Sequence, residues 1–219
     1  HEPQRANSIS EDLVMGLFKD DQGNTWAGTW GGALNRISPL SRQFTHFPYI
    51  PGNDQSLSDP LVYSITEDNS GRIWVATPKG LDCFDRETQK YTHYHYQPNI
   101  PDTEVFSGIF RINSDKEGHI WIGSRRGAFR FDPSSGNIQA FEYEPGKPDG
   151  MPDASVWDVI EDRFGLIWMG TYGGGVLCWN PSTDSLQRFR YDPYNANSLG
   201  DNRVMELYEG GNGDVWVGT

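Results

Sequence analysis

The chain has 219 residues and a formal net charge of −12, from 18 basic and 30 acidic residues. Phosphate backbones and anionic lipid surfaces are bound by basic patches, so this balance argues against nucleic acid as a partner and against contact with a membrane. Aromatic residues make up 13% of the chain and glycine contributes 25 residues, a composition that suits short strands and tight turns. The chain begins with His1 rather than Met, so we expect the natural start to lie outside it.

One seven-residue pattern occurs five times and organises the chain. It begins with glycine and has tryptophan at its fourth position, as in residues 71–77 (GRIWVAT). The five tryptophans are 48, 47, 47 and 48 residues apart, and they are Trp26, Trp74, Trp121, Trp168 and Trp216. A constant period of this length indicates a repeat architecture whose units share one core.

Each repeat contains strand-like segments that are separated by turns and are rich in β-branched and aromatic residues or alternate apolar with polar residues. In chain order we predict strands at 13–18, 25–28, 33–37 and 43–47; at 61–66, 73–76, 81–85 and 90–96; at 109–113, 120–123, 128–131 and 138–143; at 156–160, 167–170, 176–179 and 186–191; and at 204–208 and 215–218. No segment shows a sustained helical period.

Four strands in every ~47 residues are typical of all-β folds, and repeated four-stranded units read as blades of a β-propeller. We therefore predict an all-β β-propeller fragment with four complete four-stranded blades plus half of a fifth. The single segment spans residues 1–219, with blades at approximately 8–55, 56–103, 104–150, 151–197 and, in part, 198–219.

Apolar residues stand nine and six positions before each pattern's glycine, as Val62 and Ile65 do in the second repeat. An odd separation places them on opposite faces of one strand, so this strand is expected to be innermost, with the tryptophan filling the space between blades. Aspartate three residues before the glycine suits turn capping better than a calcium loop, which needs more alternating oxygen ligands. Cys83 and Cys178 hold similar places in non-adjacent repeats, so we expect two buried free thiols.

The series Val-x-x-Ile-x-Glu-Asp-x-x-Gly-x-Ile-Trp-x-Gly-Thr, followed by Gly-Gly-Leu and later by Asp-x-x-Ser-Leu, resembles the regulator-propeller repeats of bacterial hybrid two-component sensors. It is clearest at residues 62–77 and 156–171, whereas Lys19 and Ser114 replace the glutamate of the Glu-Asp pair. The resemblance implies a seven-bladed parent ring in the periplasm, followed by an immunoglobulin-like domain, one membrane helix and a signalling output. It also implies a sensing role, with an oligosaccharide or another small molecule as the ligand.

Positions that vary between repeats are the candidates for binding. They lie in the turn after the second strand, in the aromatic loops between blades, and on the innermost strand. Exposed aromatic rings beside a few charged donors suit a sugar, which offers flat apolar faces and hydroxyl groups. We expect a ligand face formed by Trp30, Tyr49, Lys79, Tyr96, Arg125, Arg126 and Tyr172, with Arg111 and Asp158 behind it. The alternatives are that the tyrosines pack within their loops and that the inner residues line a solvated channel.

No serine, cysteine or carboxylate pair stands in a recognisable nucleophile motif, and the five histidines show no metal-ligand pattern. We therefore expect no enzymatic activity, no cofactor and no bound metal. The rival hypothesis is a propeller enzyme, such as a lyase or a polysaccharide-degrading enzyme, built on Asp158 and Glu206, which share one register in neighbouring repeats. A purely structural or dimerising propeller is the third. Because the fifth repeat stops after two strands, we expect a homo-oligomer or a need for the missing remainder of the propeller.

Overall fold

A computed structural model describes residues 1–219 except 3, 6, 96–105, 143–150 and 152–154. The described residues contain no α-helix and form eighteen strands. In chain order these are β1 (Val14–Lys19), β2 (Thr25–Thr29), β3 (Leu34–Ile37), β4 (Phe44–Phe47), β5 (Ser64–Glu67), β6 (Ile73–Thr77), β7 (Gly80–Asp85), β8 (Lys90–His95), β9 (Ile109–Ser114), β10 (Ile120–Ser124), β11 (Gly127–Phe131), β12 (Ile138–Glu142), β13 (Val156–Glu161), β14 (Ile167–Thr171), β15 (Gly175–Asn180), β16 (Ser185–Phe189), β17 (Glu206–Glu209) and β18 (Val215–Gly218).

Consecutive strands pair in antiparallel fashion and build one sheet per repeat. The sheets have the orders β1-β2-β3-β4, β5-β6-β7-β8, β9-β10-β11-β12, β13-β14-β15-β16 and β17-β18. This up-and-down order is that of propeller blades, here numbered one to five, and the prediction of four complete blades plus half of a fifth is confirmed. The chain divides into two compact units, His1–Ile112 and Asn113–Thr219, and the division falls within β9.

The innermost strand of blade two begins later than the sequence pattern predicts. The prediction was 61–66, whereas β5 begins three residues after that start. Val62 instead donates its backbone N–H to the carbonyl of Thr29 in blade one (3.2 Å), and Val204 donates in the same way to Thr171 in blade four (2.9 Å). The chain therefore pairs with the preceding blade before it enters its own sheet.

The apolar residues of the inner strands are buried on both faces, as predicted. Val62 and Ile65 of blade two are buried, and the same holds at the corresponding positions of blades three, four and five. In blade one, Val14 is partly exposed and Leu17 is 71% exposed. The inner strand of blade one therefore presents apolar side chains to solvent.

In blades one to four, the repeated tryptophan donates its indole N–H to the aspartate that opens the preceding turn. The nitrogen–oxygen distances are 2.8 Å for Trp26–Asp20, 2.7 Å for Trp74–Asp68, 3.0 Å for Trp121–Asp115 and 2.8 Å for Trp168–Asp162. The second oxygen of Asp68 accepts backbone N–H groups from Ser70 (2.9 Å) and Arg72 (3.1 Å) within the turn. The aspartate thus caps the turn, as predicted, and also satisfies the indole nitrogen.

Electrostatics support the same arrangement in blade one. Burial alone would raise the pKa of the Asp20 carboxyl, but hydrogen bonds from Asn24 and Trp26 outweigh burial and lower that pKa. Arg86, which follows β7, brings its Nη1 to 3.0 Å from Asp20 and also contacts Glu67. A guanidinium from blade two therefore balances the carboxylate that holds the tryptophan of blade one.

The glutamate of the repeated Glu-Asp pair connects one blade to the turn of the preceding blade. Glu67 accepts the backbone N–H of Asp21 at 2.8 Å, and Glu161 accepts that of Lys116 at 2.7 Å. Glu209 receives the corresponding bond from Arg163 at 3.2 Å. Bonds from backbone amides to carboxylates are among the stronger ones, so this residue gives the motif an inter-blade role.

The two cysteines are free and buried, in agreement with the sequence-based expectation. Burial raises the pKa of the Cys83 thiol to about 12 and that of Cys178 to about 11. Both side chains are therefore protonated packing residues at neutral pH and not reactive thiolates.

We expect Asp68→Ala to lower the free energy of unfolding by roughly 1–3 kcal/mol, because it leaves the buried indole N–H of Trp74 without an acceptor. Chemical denaturation measures the change, and a double-mutant cycle with Trp74→Phe isolates the pair. Glu87→Ala, in an exposed turn of the same blade, is the control and should change the free energy by less than about 0.5 kcal/mol. Equal losses in both variants would contradict this role.

The exposed apolar faces lead to a second prediction. Leu17 on β1 is 71% exposed and Trp216 on β18 is 66% exposed. Exposed apolar faces and open strand edges favour association, so the 219-residue chain should self-associate at micromolar concentration. Light scattering should show a mass above that of one chain, and the variant Leu17→Glu/Trp216→Glu should shift it towards the monomer. Leu40→Glu, in an exposed turn, should not; a monomeric parent chain with a cooperative melt would refute the prediction.

Candidate functional site

The turn that follows the second strand of each blade is the most variable feature of the repeat. Its first residue is Trp30 after β2, Pro78 after β6, Arg125 after β10 and Tyr172 after β14. Trp30 is 50% exposed and Tyr172 is 48% exposed, whereas the repeated tryptophans of blades one to three are buried. The aromatic residues of this turn are therefore available to a ligand and do not belong to the core.

In the unit His1–Ile112, three of the predicted residues flank one short segment, residues 57–61. Trp30 and Tyr49 each form an isolated β-bridge with an end of this segment. Lys79 donates from Nζ to the carbonyl of Ser58 at 2.9 Å and holds its ammonium 4.9 Å from the centre of the Tyr49 ring. The fold thus brings Tyr49 and Lys79 into contact and places Trp30 at the other end of the same segment.

In the unit Asn113–Thr219, Tyr172 has the same backbone setting as Trp30. It forms an antiparallel bridge with Arg203, as Trp30 does with Leu61. Its ring stacks on Trp157, with centroids 5.5 Å apart and planes inclined by 29°. Hydrogen bonds from Arg203 lower the pKa of the neighbouring Asp201 to about 2, so both groups are charged at neutral pH. An aromatic pair therefore lies close to a charged pair.

The other predicted residues are placed as follows. Arg125 and Arg126 are exposed and form the turn between β10 and β11, where the N–H of Arg126 donates to Ser124 Oγ at 3.1 Å. Arg111 is half-buried on β9 in the unit His1–Ile112. Tyr96 lies outside the described residues.

Asp158 is buried on β13, and both of its carboxylate oxygens accept backbone N–H groups. Oδ1 accepts from Val159 and Oδ2 from Leu207 of β17, each at 2.9 Å. Ser64 holds the corresponding place in blade two, where its Oγ accepts the N–H of Ile112 at 3.1 Å. This register therefore connects the inner strands of successive blades, and a contribution of Asp158 to ligand binding stays a prediction.

A cleft of ≈ 470 Å³ in the unit Asn113–Thr219 is lined by residues that include Trp168, Phe189 and Val217. The Trp168 and Phe189 rings stack with centroids 5.7 Å apart. The corresponding rings in blade one lie against Phe84, an aromatic residue of the third strand of the next blade. We therefore interpret this cleft as the space that an aromatic residue from the third strand of the following blade would fill, and not as a ligand site.

Two groups of side chains have the geometry of metal ligands among the described residues, although the sequence pattern predicted none. One group is Asp115, Glu117 and His119. Arg130 already lies inside it, with Nε 3.2 Å from Asp115 Oδ2 and Nη2 2.9 Å from His119 Nδ1, so a guanidinium fills the place of a cation. The other group is Asp82, His93 and His95 in blade two. The hydrogen bond to Asp82 raises the pKa of His93.

Comparison with known proteins gives a family and a fold. The family described as two component regulator propeller matches residues 56–79, 150–173 and 198–219. No curated protein is significantly similar to the chain in sequence. In the described part of the chain, no helix has the length and apolarity needed to cross a membrane.

Three solved structures show the same fold at low identity. The extracellular domain of the putative hybrid two component system BT3049 from B. thetaiotaomicron superposes with a TM-score of 0.78 at 23% identity, over 97% of this chain and 28% of that chain. That of BT4673 from the same organism gives 0.75 at 23% identity, over 99% and 27%. A catalytically inactive virginiamycin B lyase from Staphylococcus aureus, solved with Quinupristin, gives 0.67 at 20% identity, over 93% and 62%.

The chain therefore spans little more than a quarter of the length of these two extracellular domains. The three matched segments include the Gly-x-Ile-Trp strand of blade two and its counterparts in blades four and five. The four-stranded blades identify the chain as a β-propeller segment, and three stretches of it match the two component regulator propeller family.

Proposed function

We propose that the chain is a non-enzymatic ligand-sensing segment of a periplasmic receptor of the two-component type, and that its ligand is an oligosaccharide or another small molecule. The observation that carries the proposal is the exposure of Trp30 and Tyr172 at equivalent turns of blades one and four, whereas the repeated tryptophans of blades one to three are buried. The regulator propeller repeats, and the likeness to extracellular domains of hybrid two component systems, support the signalling context.

The chemistry around these two rings suits a sugar. Flat aromatic faces stack on the apolar faces of a pyranose, and charged donors near them orient the hydroxyl groups. Tyr172 has the Arg203–Asp201 pair beside its backbone, and Trp30 shares the segment 57–61 with Lys79. The ammonium of Lys79 lies over the ring of Tyr49, so Trp30 is the better stacking surface in its unit.

The enzyme hypothesis is the weaker one. It rested on Asp158 and Glu206, but both oxygens of Asp158 already accept backbone N–H bonds, one of them from Leu207 of β17. The similarity to virginiamycin B lyase, at 20% identity, concerns the fold alone. We further propose that the remainder of the propeller, or a second copy in the isolated chain, covers the exposed apolar faces of β1 and blade five.

The ligand face is tested by isothermal titration with a panel of neutral and uronic-acid-containing oligosaccharides. At least one should bind saturably to the parent chain and remain chemically unchanged. Trp30→Ala/Tyr172→Ala should then weaken binding roughly tenfold or more, because two stacking contacts of ~0.5–1.5 kcal/mol each are lost. Phe164→Ala is the matched control: this aromatic residue is also exposed, but it lies in the turn at the opposite end of β14.

Two results would contradict the proposal. If Phe164→Ala weakens binding as much as the double variant does, the ligand face is misplaced. If chromatography of the incubated sugars reveals a product, the chain is an enzyme, and substitution of Asp158 should then be tested for loss of turnover.

A further inference from the structure

Of the two groups with metal-ligand geometry among the described residues, the one formed by Asp82, His93 and His95 combines a single carboxylate with two imidazoles. His93 and His95 alternate along β8 and therefore share one face of the sheet, and Asp82 on β7 lies directly opposite His93. Asp82 Oδ1 is 2.7 Å from His93 Nδ1 and 3.8 Å from His95 Nε2. In a tetrahedral zinc site with bonds of ~2.0–2.1 Å, ligand atoms are roughly 3.3 Å apart. The two observed distances lie on either side of that value.

One atom of the group lacks a hydrogen-bond partner. His95 Nε2 is buried, yet nothing in the described structure donates to it or accepts from it. A buried polar atom without a partner costs free energy that a hydrogen bond or a metal bond would recover. The ligand atoms of Asp82 and His93 lie within 4.8 Å of it, so a cation placed among the three side chains would satisfy the free nitrogen.

Surrounding residues form hydrogen bonds to Asp82 and His93, as residues around a metal site do to the metal ligands. His93 Nε2 lies 2.9 Å from the carbonyl oxygen of Asp54, which can only accept, so Nε2 carries a proton and Nδ1 faces Asp82. Asp82 Oδ2 accepts from both the backbone N–H (2.8 Å) and the hydroxyl (2.9 Å) of Ser58. A histidine whose second nitrogen donates to a backbone carbonyl, beside a carboxylate that is itself hydrogen-bonded, is the usual setting of a metal ligand.

The equivalent positions of blade one show which hydrogen bonds the fold itself requires at Asp82 and His93. There, Asn35 lies opposite His46, Asn35 Oδ1 accepts the N–H of Ser10 at 3.0 Å, and His46 Nε2 bonds to a backbone carbonyl at 2.8 Å. Two residues after His46 stands Pro48. The hydrogen bonds that the fold requires are therefore made with an amide and one histidine. Blade two adds a carboxylate and a second imidazole, which are the two changes that create a ligand set.

We propose that Asp82, His93 and His95 bind one first-row divalent metal ion such as Zn²⁺. Two imidazole nitrogens and one carboxylate oxygen are donors that suit zinc and its neighbours better than Ca²⁺ or Mg²⁺, which prefer oxygen ligands. Three protein ligands leave a fourth position for water or for an external ligand. The ion would fasten the end of β8, at His95, to the middle of β7.

The test is titration of the metal-free chain with Zn²⁺ by calorimetry, and with Co²⁺ by visible absorption, which reports the coordination geometry. The α-amine and imidazole of His1 form a chelate of their own, so all measurements use a His1→Ala background. One equivalent of Zn²⁺ should bind and raise the melting temperature. Asp82→Asn and His95→Ala should each weaken binding at least about tenfold, since even loss of a supporting residue costs a metal site ~10–100-fold.

Two features of the design keep the outcome interpretable. Asp82→Asn copies the Asn35 of blade one, so the hydrogen bonds from Ser58 have an acceptor and the variant should fold. His46→Ala is the matched control, because it removes the corresponding histidine where no ligand set exists, and it should bind Zn²⁺ like the parent. Absence of saturable binding in the micromolar range, or equal binding by the parent, Asp82→Asn and His95→Ala, overturns the proposal.

Discussion

The hydrogen bond from the indole of the repeated tryptophan to the turn aspartate is the constraint on which the blades depend. A tryptophan that fills the space between blades buries its N–H, and a buried donor without an acceptor costs roughly 1–3 kcal/mol. The acceptor lies six residues earlier, as Asp68 does before Trp74, so the turn and the second strand cannot change length independently. In blade five, Gly210 replaces this aspartate and Trp216 is exposed.

The frame built on this bond is joined from blade to blade mainly through backbone amides. Glu67 and Glu161 accept N–H groups from the preceding turn, and Asp158 accepts one from the following inner strand. Because the donors are backbone N–H groups, the side chains of the residues that supply them can vary without loss of the hydrogen bond. The turn after the second strand takes part in none of these side-chain bonds. It can therefore present tryptophan, arginine or tyrosine in different blades while the architecture is unchanged.

The period of the tryptophans and the alternation of the inner strands were sufficient to predict the fold, the blade count and the buried positions. The inner strands of blades two and five were predicted to start too early, because Val62 and Val204 pair with the preceding blade, a contact between residues far apart in sequence. For the same reason, the repeat spacing could assign Asp158 to an inner strand but could not predict that its carboxylate accepts the backbone N–H of Leu207. The alternation of His93 and His95 was visible in the sequence. That Asp82 lies opposite His93 depends on the register of the β7–β8 hairpin, and the spacing of the residues along the sequence does not specify that register.

Differences between equivalent positions of a repeat carry information that the shared positions do not. In blade one, Asn35 lies opposite His46 and accepts the backbone N–H of Ser10, so an uncharged amide is sufficient for this hydrogen bond. Blade two instead buries the Asp82 carboxylate and leaves a nitrogen of His95 without a hydrogen bond. Asp82 accepts hydrogen bonds from Ser58 and contacts His93, but an unpaired buried nitrogen is unfavourable, so the second imidazole is not explained by stability of the blade. A cation among the three side chains would bind the free nitrogen and balance the buried carboxylate, which is why the proposed metal site accounts for both differences from blade one.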